Sequence, residues 1–187
     1  MSDINSVMTD GVNKMNKAVD VAKDDLAAIR TGRAHPSLFN KVIVDYYGAP
    51  TALNQLASVQ IPEARVALIN PFDKGAMSSI EKALRESDLG VNPSNDGVSI
   101  RINFPQLTEE RRKEYIKLAK SKGEDSKVSI RNIRRAVKEA LEKMEKDGEI
   151  SKDDLARAEK ELEKVTGEHT AKIDELLKHK EAELLEV

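Results

Sequence analysis

The sequence predicts an α+β protein in which an antiparallel bundle of three long helices carries a small β/α/β domain as an insertion. Three stretches have apolar residues spaced three and four apart, which is typical of amphipathic helices. Between the first and second stretches the pattern changes to the short apolar runs of strands. The two segments that connect the insertion to the helices are short and contain Gly and Pro.

The first helix is predicted over about residues 3–30. Its apolar stripe consists of Ile4, Met8, Gly11, Met15, Ala18, Val19, Ala22, Leu26 and Ile29. These residues recur at steps of three and four, so they lie on one side of a helix. A stripe of this length needs another apolar surface to cover it.

The inserted segment contains three predicted strands, at residues 41–47, 65–69 and 98–102. A turn is expected at residues 48–50, Gly-Ala-Pro. A short helix is predicted over residues 77–89, with Gly90 behind it. Residues 31–105 are therefore predicted to form a small α+β domain with its own core.

The second long helix is predicted to begin after Thr108, a suitable N-cap, with Glu109 and Glu110 in its first turn. Its stripe consists of Tyr115, Ile116, Ala119, Ser126, Ile130, Ile133, Val137, Leu141 and Met144. Gly123 interrupts the run at a cost of about 1 kcal/mol relative to Ala, but the stripe keeps its phase. We therefore expect one helix of about 38 residues that ends at residues 147–148.

The third helix is predicted to begin at an approximate capping box at residues 151–154. Its stripe consists of Leu155, Ala158, Leu162, Val165, His169, Ile173, Leu176, Lys180 and Leu184. His169 lies within this stripe, so we expect a buried or boundary histidine rather than a ligand. The acids near the start of the helix are predicted to be solvated or to cap it, since nothing brings a matched acid and base into a pocket. These acids are Asp153, Asp154, Glu159, Glu161 and Glu163.

The order of these elements predicts a bundle domain of residues 1–30 and 106–187, with residues 31–105 inserted. The chain leaves the bundle through residues 31–36 and returns through residues 104–107. Both links are attached to the same domain, so they should lie side by side. Two adjacent short links form a hinge that restricts direction but permits swinging.

Composition excludes several function classes. The chain has 187 residues, of which 39% are hydrophobic and 3% aromatic, so it can bury a core but offers few platforms for stacking bases. It has no Cys, and its three His lack metal-ligand spacing, so we expect no catalytic residue, metal or cofactor. No apolar run approaches the roughly 20 residues that span a bilayer, and residues 1–4 begin no targeting pattern. We therefore expect a cytoplasmic protein with no membrane partner.

The net charge of −2 conceals a strong asymmetry. Residues 105–138 hold 11 basic and 5 acidic residues, whereas residues 139–187 hold 9 basic and 16 acidic residues. On a helical wheel, one side of the second helix collects a row of cations that extends for about 37 Å. We call this row the basic flank: Lys113, Lys120, Lys127, Arg131, Arg134 and Lys138, widened by Lys117 and Arg135.

Two interpretations of the basic flank remain open. Charged rows on helices are usually solvated surfaces with ion pairs four residues apart. Residues 126–138, however, contain no acid, so partners would have to come from the third helix. The alternative is a surface for a polyanion, because Arg binds phosphate through a planar fork and A-form RNA can be recognised by its shape.

Several segments resemble the ribosome recycling factor family. They are IRTGRAHPSL at residues 29–38, VDYYGAP at 44–50, LAS at 56–58, LTEERRK at 107–113 and VSIRNIRR at 128–135. The similarity covers essentially the whole chain in length and in the order of its elements. It implies an L-shaped, tRNA-like protein of bacterial type that acts in the cytoplasm on the ribosome after termination. Working with elongation factor G and GTP, such a factor splits the ribosome into subunits and releases mRNA and deacylated tRNA.

The resemblance also implies which residues act. It places contacts with large-subunit rRNA on Arg131, Arg134 and Arg135, within a candidate set completed by Arg112, Lys113, Lys120, Lys127 and Lys138. It places a hinge at Arg30, Thr31, Gly32, Arg33 and Ala34 and at Phe104, Pro105, Gln106 and Leu107. The expected partners are the ribosome and elongation factor G, with the factor itself a monomer. GTP hydrolysis would belong to elongation factor G, since this sequence has no GxxxxGK[ST] loop.

Two other function classes fit the sequence less well. A helical interaction module or chaperone would need an exposed apolar patch, whereas the faces outside the stripes are rich in charge. An enzyme would need a nucleophile with its base, a metal set or a cofactor loop, and the sequence offers none of these.

Overall fold

The computed structural model describes residues 3–186. It has three long helices, α1 (Ile4–Ala27), α4 (Glu109–Lys146) and α5 (Lys152–Leu185). Between α1 and α4 lie six strands, two shorter α-helices and two 3-10 helices, at Pro36–Phe39 and Lys74–Ala76. Among residues 3–186, no helix combines the length and the apolar character needed to cross a membrane.

Helix α1 ends at Ala27, three residues before its predicted end, whereas the predicted ends of α4 and the predicted start of α5 are confirmed by their caps. The Thr108 hydroxyl accepts the backbone N–H of Arg111 at 3.1 Å, which satisfies one free donor at the start of α4. At the start of α5 the Ser151 hydroxyl accepts the N–H of Asp154 at 3.0 Å, and the Asp154 carboxylate accepts the N–H of Ser151 at 3.4 Å. This reciprocal pair is a capping box. Gly148, with φ 76°, ends α4 in the left-handed region.

The predicted continuity of α4 through Gly123 is also confirmed. Gly123 is buried, and a Cβ atom there would lie 3.3 Å from Leu177 Cδ2. The glycine is therefore part of the apolar stripe, where it gives α5 room to approach α4.

The core of the bundle combines residues from all three long helices. Its buried members are Met15, Ala22, Ile130, Val137, Leu141, Met144, Ala158, Leu162 and Ile173. Two ion pairs show the direction of the helices, because Lys127 contacts Asp174 whereas Arg134, further along α4, contacts the earlier Glu163. Helices α4 and α5 are therefore antiparallel, as a three-helix bundle with a short connection requires.

The inserted segment forms a four-stranded antiparallel sheet and a separate hairpin. The sheet has the order β3 (Ala57–Glu63), β4 (Val66–Pro71), β6 (Ile100–Asn103) and β5 (Pro93–Asn95). The hairpin pairs β1 (Ile43–Tyr46) with β2 (Ala49–Ala52). The remaining α-helices are α2 (Leu53–Leu56) and α3 (Met77–Arg85), and α3 contributes Ile80 and Leu84 to the core of this segment.

Three details of the predicted insertion are wrong. Strands β2, β3 and β5 were not predicted, and α3 ends at Arg85 rather than at residue 89. The turn lies at Tyr47 and Gly48, because Tyr46 pairs with Ala49 across the hairpin. Both turn residues have positive φ, 49° and 85°, which matches the twist of a two-residue hairpin loop.

Contacts along the chain define two compact units. One contains residues 3–26 and 118–180, and the other contains residues 27–117 and 181–186. The second unit thus includes residues 27–30, 106–117 and 181–186 in addition to the insertion. The division into a bundle domain of residues 1–30 and 106–187 and an inserted domain of residues 31–105 stays a prediction.

Candidate nucleic-acid interface

The candidate interface is the basic flank of α4. Because α4 is one continuous helix, residues seven or four positions apart recur on the same side of it. Acidic residues occupy its first turn and Lys143 and Lys146 its last, an arrangement that complements the helix dipole. Most of the flank is exposed, whereas Lys127, Arg134 and the neighbouring Arg112 are partly buried.

Three flank residues pair with acids of α4 itself. Lys113 lies 3.2 Å from Glu109, and Lys138 lies 3.9 Å from Glu142. Arg131 donates to Glu124 at 2.8 Å, two helical turns away. These pairs are exposed, so each stabilises the fold by only about 0.2–1 kcal/mol.

Two further flank residues pair with acids of α5. Lys127 contacts Asp174, and Arg134 donates to Glu163 at 3.3 Å. The third helix therefore supplies the partners that residues 126–138 lack, as one interpretation of the sequence expected. The flank is partly neutralised by its own bundle.

Arg135 differs from its neighbours. It is exposed, and within residues 3–186 no ion pair to its guanidinium is formed. Arg112 is different again, because its Nε is buried without a hydrogen-bond partner in the described structure. Arg135 can thus receive a phosphate without giving up a protein partner.

The two predicted hinge segments meet through Arg30. Arg30 is 7% exposed, its guanidinium donates to the carbonyl of Pro105, and it lies 5.4 Å from the centre of the Phe104 ring. Burial, assisted by the nearby charge of Arg111, lowers the pKa of Arg30 below its ordinary value. The links at residues 30–34 and 104–107 therefore lie side by side.

The hinge segments are also tied to the strand loop at residues 64–65. The N–H of Ala34 donates to the carbonyl of Ala64 at 2.7 Å, and the N–H of Phe104 donates to the carbonyl of Arg65 at 2.8 Å. Around Gly32 there is open space, since a Cβ atom there would meet nothing within 4 Å. The remaining residues of the two segments differ in exposure. Thr31 and Gly32 are partly buried, and Leu107 is buried. Three residues are exposed: Arg33, Pro105 and Gln106.

His169 is a buried structural residue, as predicted. It is 4% exposed, with Nδ1 at 2.7 Å from the carbonyl of Val165 and Nε2 at 2.7 Å from Asn16 Oδ1. The predicted cap at Asp154 is likewise confirmed. Within residues 3–186, no group of three or more His, Cys, Asp or Glu is placed to hold a metal ion.

Sequence analysis did not assign the acids that pair with the flank. Glu163 was grouped with the solvated or capping carboxylates, and Asp174 was not singled out. A helical wheel would have placed them about 20° apart on α5, which is a signal that both face the same neighbour.

Comparisons of the sequence and of the structure with known proteins all find the same family. Residues 22–185 match the model of the family described as ribosome recycling factor. Ribosome-recycling factors of Streptomyces coelicolor and Kineococcus radiotolerans are 62% and 64% identical, each over 98% of this chain and 100% of the relative. A solution structure of a ribosome recycling factor is 35% identical and covers 100% of both chains with a TM-score of 0.79. A second similar structure is a model of the T. thermophilus ribosome recycling factor, bound with E. coli elongation factor G to the E. coli post-termination complex. It is 42% identical to this chain, with a TM-score of 0.69, and the match covers 99% of this chain and 100% of the other.

Proposed function

The chain belongs to the ribosome recycling factor family, and from this premise we propose that it binds the post-termination ribosome and splits it into subunits. In this proposal elongation factor G and GTP drive the splitting, and mRNA and deacylated tRNA are released for a new round of translation. The family consists of non-catalytic translation factors, so the hydrolysis of GTP is the work of the partner. The relative that is bound together with elongation factor G to a post-termination complex supports this assignment.

We propose further that the basic flank makes the main contact, chiefly with large-subunit rRNA. The observation that carries this proposal is the state of Arg135, an exposed guanidinium with no ion pair in the described structure beside a row of weakly paired cations. A fork of N–H donors at an RNA backbone forms short charge-assisted hydrogen bonds. A row of such contacts requires no aromatic platform, which suits a chain with 3% aromatic residues.

The hinge is proposed to transmit the movement that splits the ribosome. The contact of Arg30 with Pro105 and Phe104 supports this role, because it couples the outgoing and returning links. A coupled pair of links resists twisting more than one flexible linker does. The factor is proposed to act as a monomer in the cytoplasm, without a cofactor.

The experiment is equilibrium binding of the full chain to purified large ribosomal subunits over a range of salt concentrations. Arg135→Ala should weaken binding by about tenfold or more, since a hydrogen bond to a charged group contributes about 1.5–3 kcal/mol. Arg134→Ala should weaken binding less, because a phosphate at Arg134 must displace Glu163 or share the guanidinium with it. Each variant should also reduce the slope of log K against log salt by about one.

Lys172→Ala is the matched control. Lys172 is an exposed cation of α5 that forms no ion pair among the described residues, and it lies about 180° from Glu163 around the helix. Lys172→Ala removes one positive charge, as the two arginine variants do, but it removes no contact of the basic flank. If Arg135→Ala and Arg134→Ala bind as tightly as Lys172→Ala, the basic flank is solvated surface and the proposed contact is wrong.

A further inference from the structure

We infer that Glu163 and Asp174 of α5 compete with RNA phosphates for the basic flank and thereby set its affinity and its salt dependence. This inference rests on the proposed function, because it concerns the same flank. It gives a role to side chains whose charge is opposite to that of the binding surface.

The first support is the geometry of the two pairs. Glu163 accepts a hydrogen bond from Arg134 at 3.3 Å, and Asp174 contacts Lys127. The acids remain well exposed, at 62% and 54% of their side chains, while the cations are more covered, at 40% and 23%. The carboxylates are therefore free to move away into water while the cations stay in place.

The second support is the selective placement of these acids. Around α4, Lys127 and Arg134 lie within about 20° of each other, whereas Arg135 lies about 100° from Arg134. The acids of α5 thus cover one edge of the flank and leave the opposite edge open. The pairing is a local feature of the interface between α4 and α5, and it does not neutralise the flank uniformly.

The third support is the balance of charges when RNA binds. A phosphate that reaches Arg134 must displace Glu163 or share the guanidinium with it. An exposed ion pair is weak compared with a phosphate contact, so displacement is possible, but the freed carboxylate then repels the phosphates beside it. Both effects subtract from the affinity that the cations would otherwise provide.

The test uses Glu163→Gln in the full chain and binding to purified large ribosomal subunits at low and at moderate salt. Glutamine keeps the shape of the side chain and removes its charge. Binding should become tighter by about two- to fivefold at low salt, which is the fold-change that corresponds to the loss of an exposed pair. The gain should shrink as salt screens the carboxylate, and Asp174→Asn should behave in the same way.

Glu161→Gln is the matched control, because Glu161 is exposed, has no ion pair among the described residues and lies about 160° from Glu163 around α5. In an Arg134→Ala background the gain from Glu163→Gln should disappear, whereas in an Arg135→Ala background it should persist. The melting midpoint of Glu163→Gln should change by about 4 °C or less, which separates binding from folding.

The competing outcomes are distinct. If Glu163→Gln binds no tighter than Glu161→Gln, the acids do not compete and the inference is overturned while the flank keeps its proposed role. Weaker binding of Glu163→Gln would also overturn the inference, because it would show that Glu163 orients Arg134 for RNA rather than competing with it. If Arg134→Ala and Arg135→Ala bind large subunits as tightly as the unmodified chain does, the proposed flank contact is wrong and the inference is wrong with it.

Discussion

Two glycines in the long helices should respond oppositely to the same substitution. Gly11 of α1 is buried, and a Cβ atom there would lie 2.6 Å from Val137 Cγ2 of α4. Gly167 of α5 is exposed, and a Cβ atom there would meet no heavy atom within 4 Å. Replacement by Ala therefore tests the close approach of α1 and α4 against a control of identical chemistry.

The magnitudes follow from propensity and packing. In a helix interior Ala is favoured over Gly by about 1 kcal/mol, so Gly167→Ala should raise the free energy of unfolding by about 0.5–1 kcal/mol. At Gly11 the new methyl group would overlap with Val137, since carbon atoms prefer a separation of about 3.5–4.0 Å. Overpacking of this kind costs about 1–3 kcal/mol, so Gly11→Ala should lower the free energy of unfolding by about 1 kcal/mol net.

The assay is urea unfolding followed by far-ultraviolet circular dichroism, with a double-mutant cycle. Val137→Ala removes the methyl group that causes the overlap and should lower stability by itself because it leaves a cavity. In that background Gly11→Ala should cost little or should stabilise, which gives a coupling of about 1 kcal/mol between the two sites. Equal stability of Gly11→Ala and Gly167→Ala, or additive effects in the cycle, would refute the close helix approach.

Two further predictions concern the proposed hinge and the cap of α5. Arg30→Met keeps an unbranched apolar stem but removes the guanidinium and its contacts with the returning link, so the free energy of unfolding should fall by about 1–2 kcal/mol in urea titrations. Arg33→Met, at an exposed position on the same link, should change it by less than about 0.5 kcal/mol, and equal losses would contradict a role for the Arg30 contacts. Hydrogen bonds, above all with Ser151, lower the pKa of Asp154 below 3.8, so its contribution to stability is present above that value and is lost as the pH falls through the lowered pKa. Asp154→Asn should therefore flatten the decline of the melting midpoint below about pH 4, and an unchanged decline would argue against this cap.

The long helices could be predicted from sequence because their signal is local and repeated. The stripe of α4 recurs over 38 residues, and Thr108 and residues 147–148 mark its ends by side-chain and backbone chemistry alone. A pattern repeated over so many turns outweighs one unfavourable residue, which is why Gly123 did not divide the helix.

The missed strands depend on their neighbours. β5 is only three residues long and begins with Pro93, and β2 contains Pro50, so neither has the alternation of a strand in its own sequence. β3 contains Pro62, where its register with β4 shifts. These segments become strands because adjacent strands offer hydrogen-bond partners, which is a property of the tertiary structure.

The candidate site could be predicted from the sequence only in part. The row of cations on α4 follows from helical spacing, but their pairing depends on how α5 is rotated against α4, and no single helix contains that information. Arg134 and Arg135 are adjacent in sequence and identical in type, yet one is paired with Glu163 and the other has no ion pair in the described structure. The two side chains lie about 100° apart around α4, but which of them meets an acid of α5 is decided by the packing of the bundle.

This difference bears on how a protein with a net charge of −2 could select one polyanion among many. If the acids of α5 compete for the flank, a ligand that offers a single phosphate gains little at Arg134, because it loses an exposed pair worth about 0.2–1 kcal/mol and meets a displaced carboxylate. A rigid RNA surface presents phosphates to Arg135 and to several paired cations at once. Each carboxylate that it displaces is then replaced by a stronger charge-assisted contact with a phosphate. Competition would therefore weaken scattered contacts with flexible polyanions more than it weakens a continuous contact with folded RNA. Glu163 and Asp174 would thus contribute to selectivity, because they lower the affinity of Arg134 and Lys127 for an isolated phosphate.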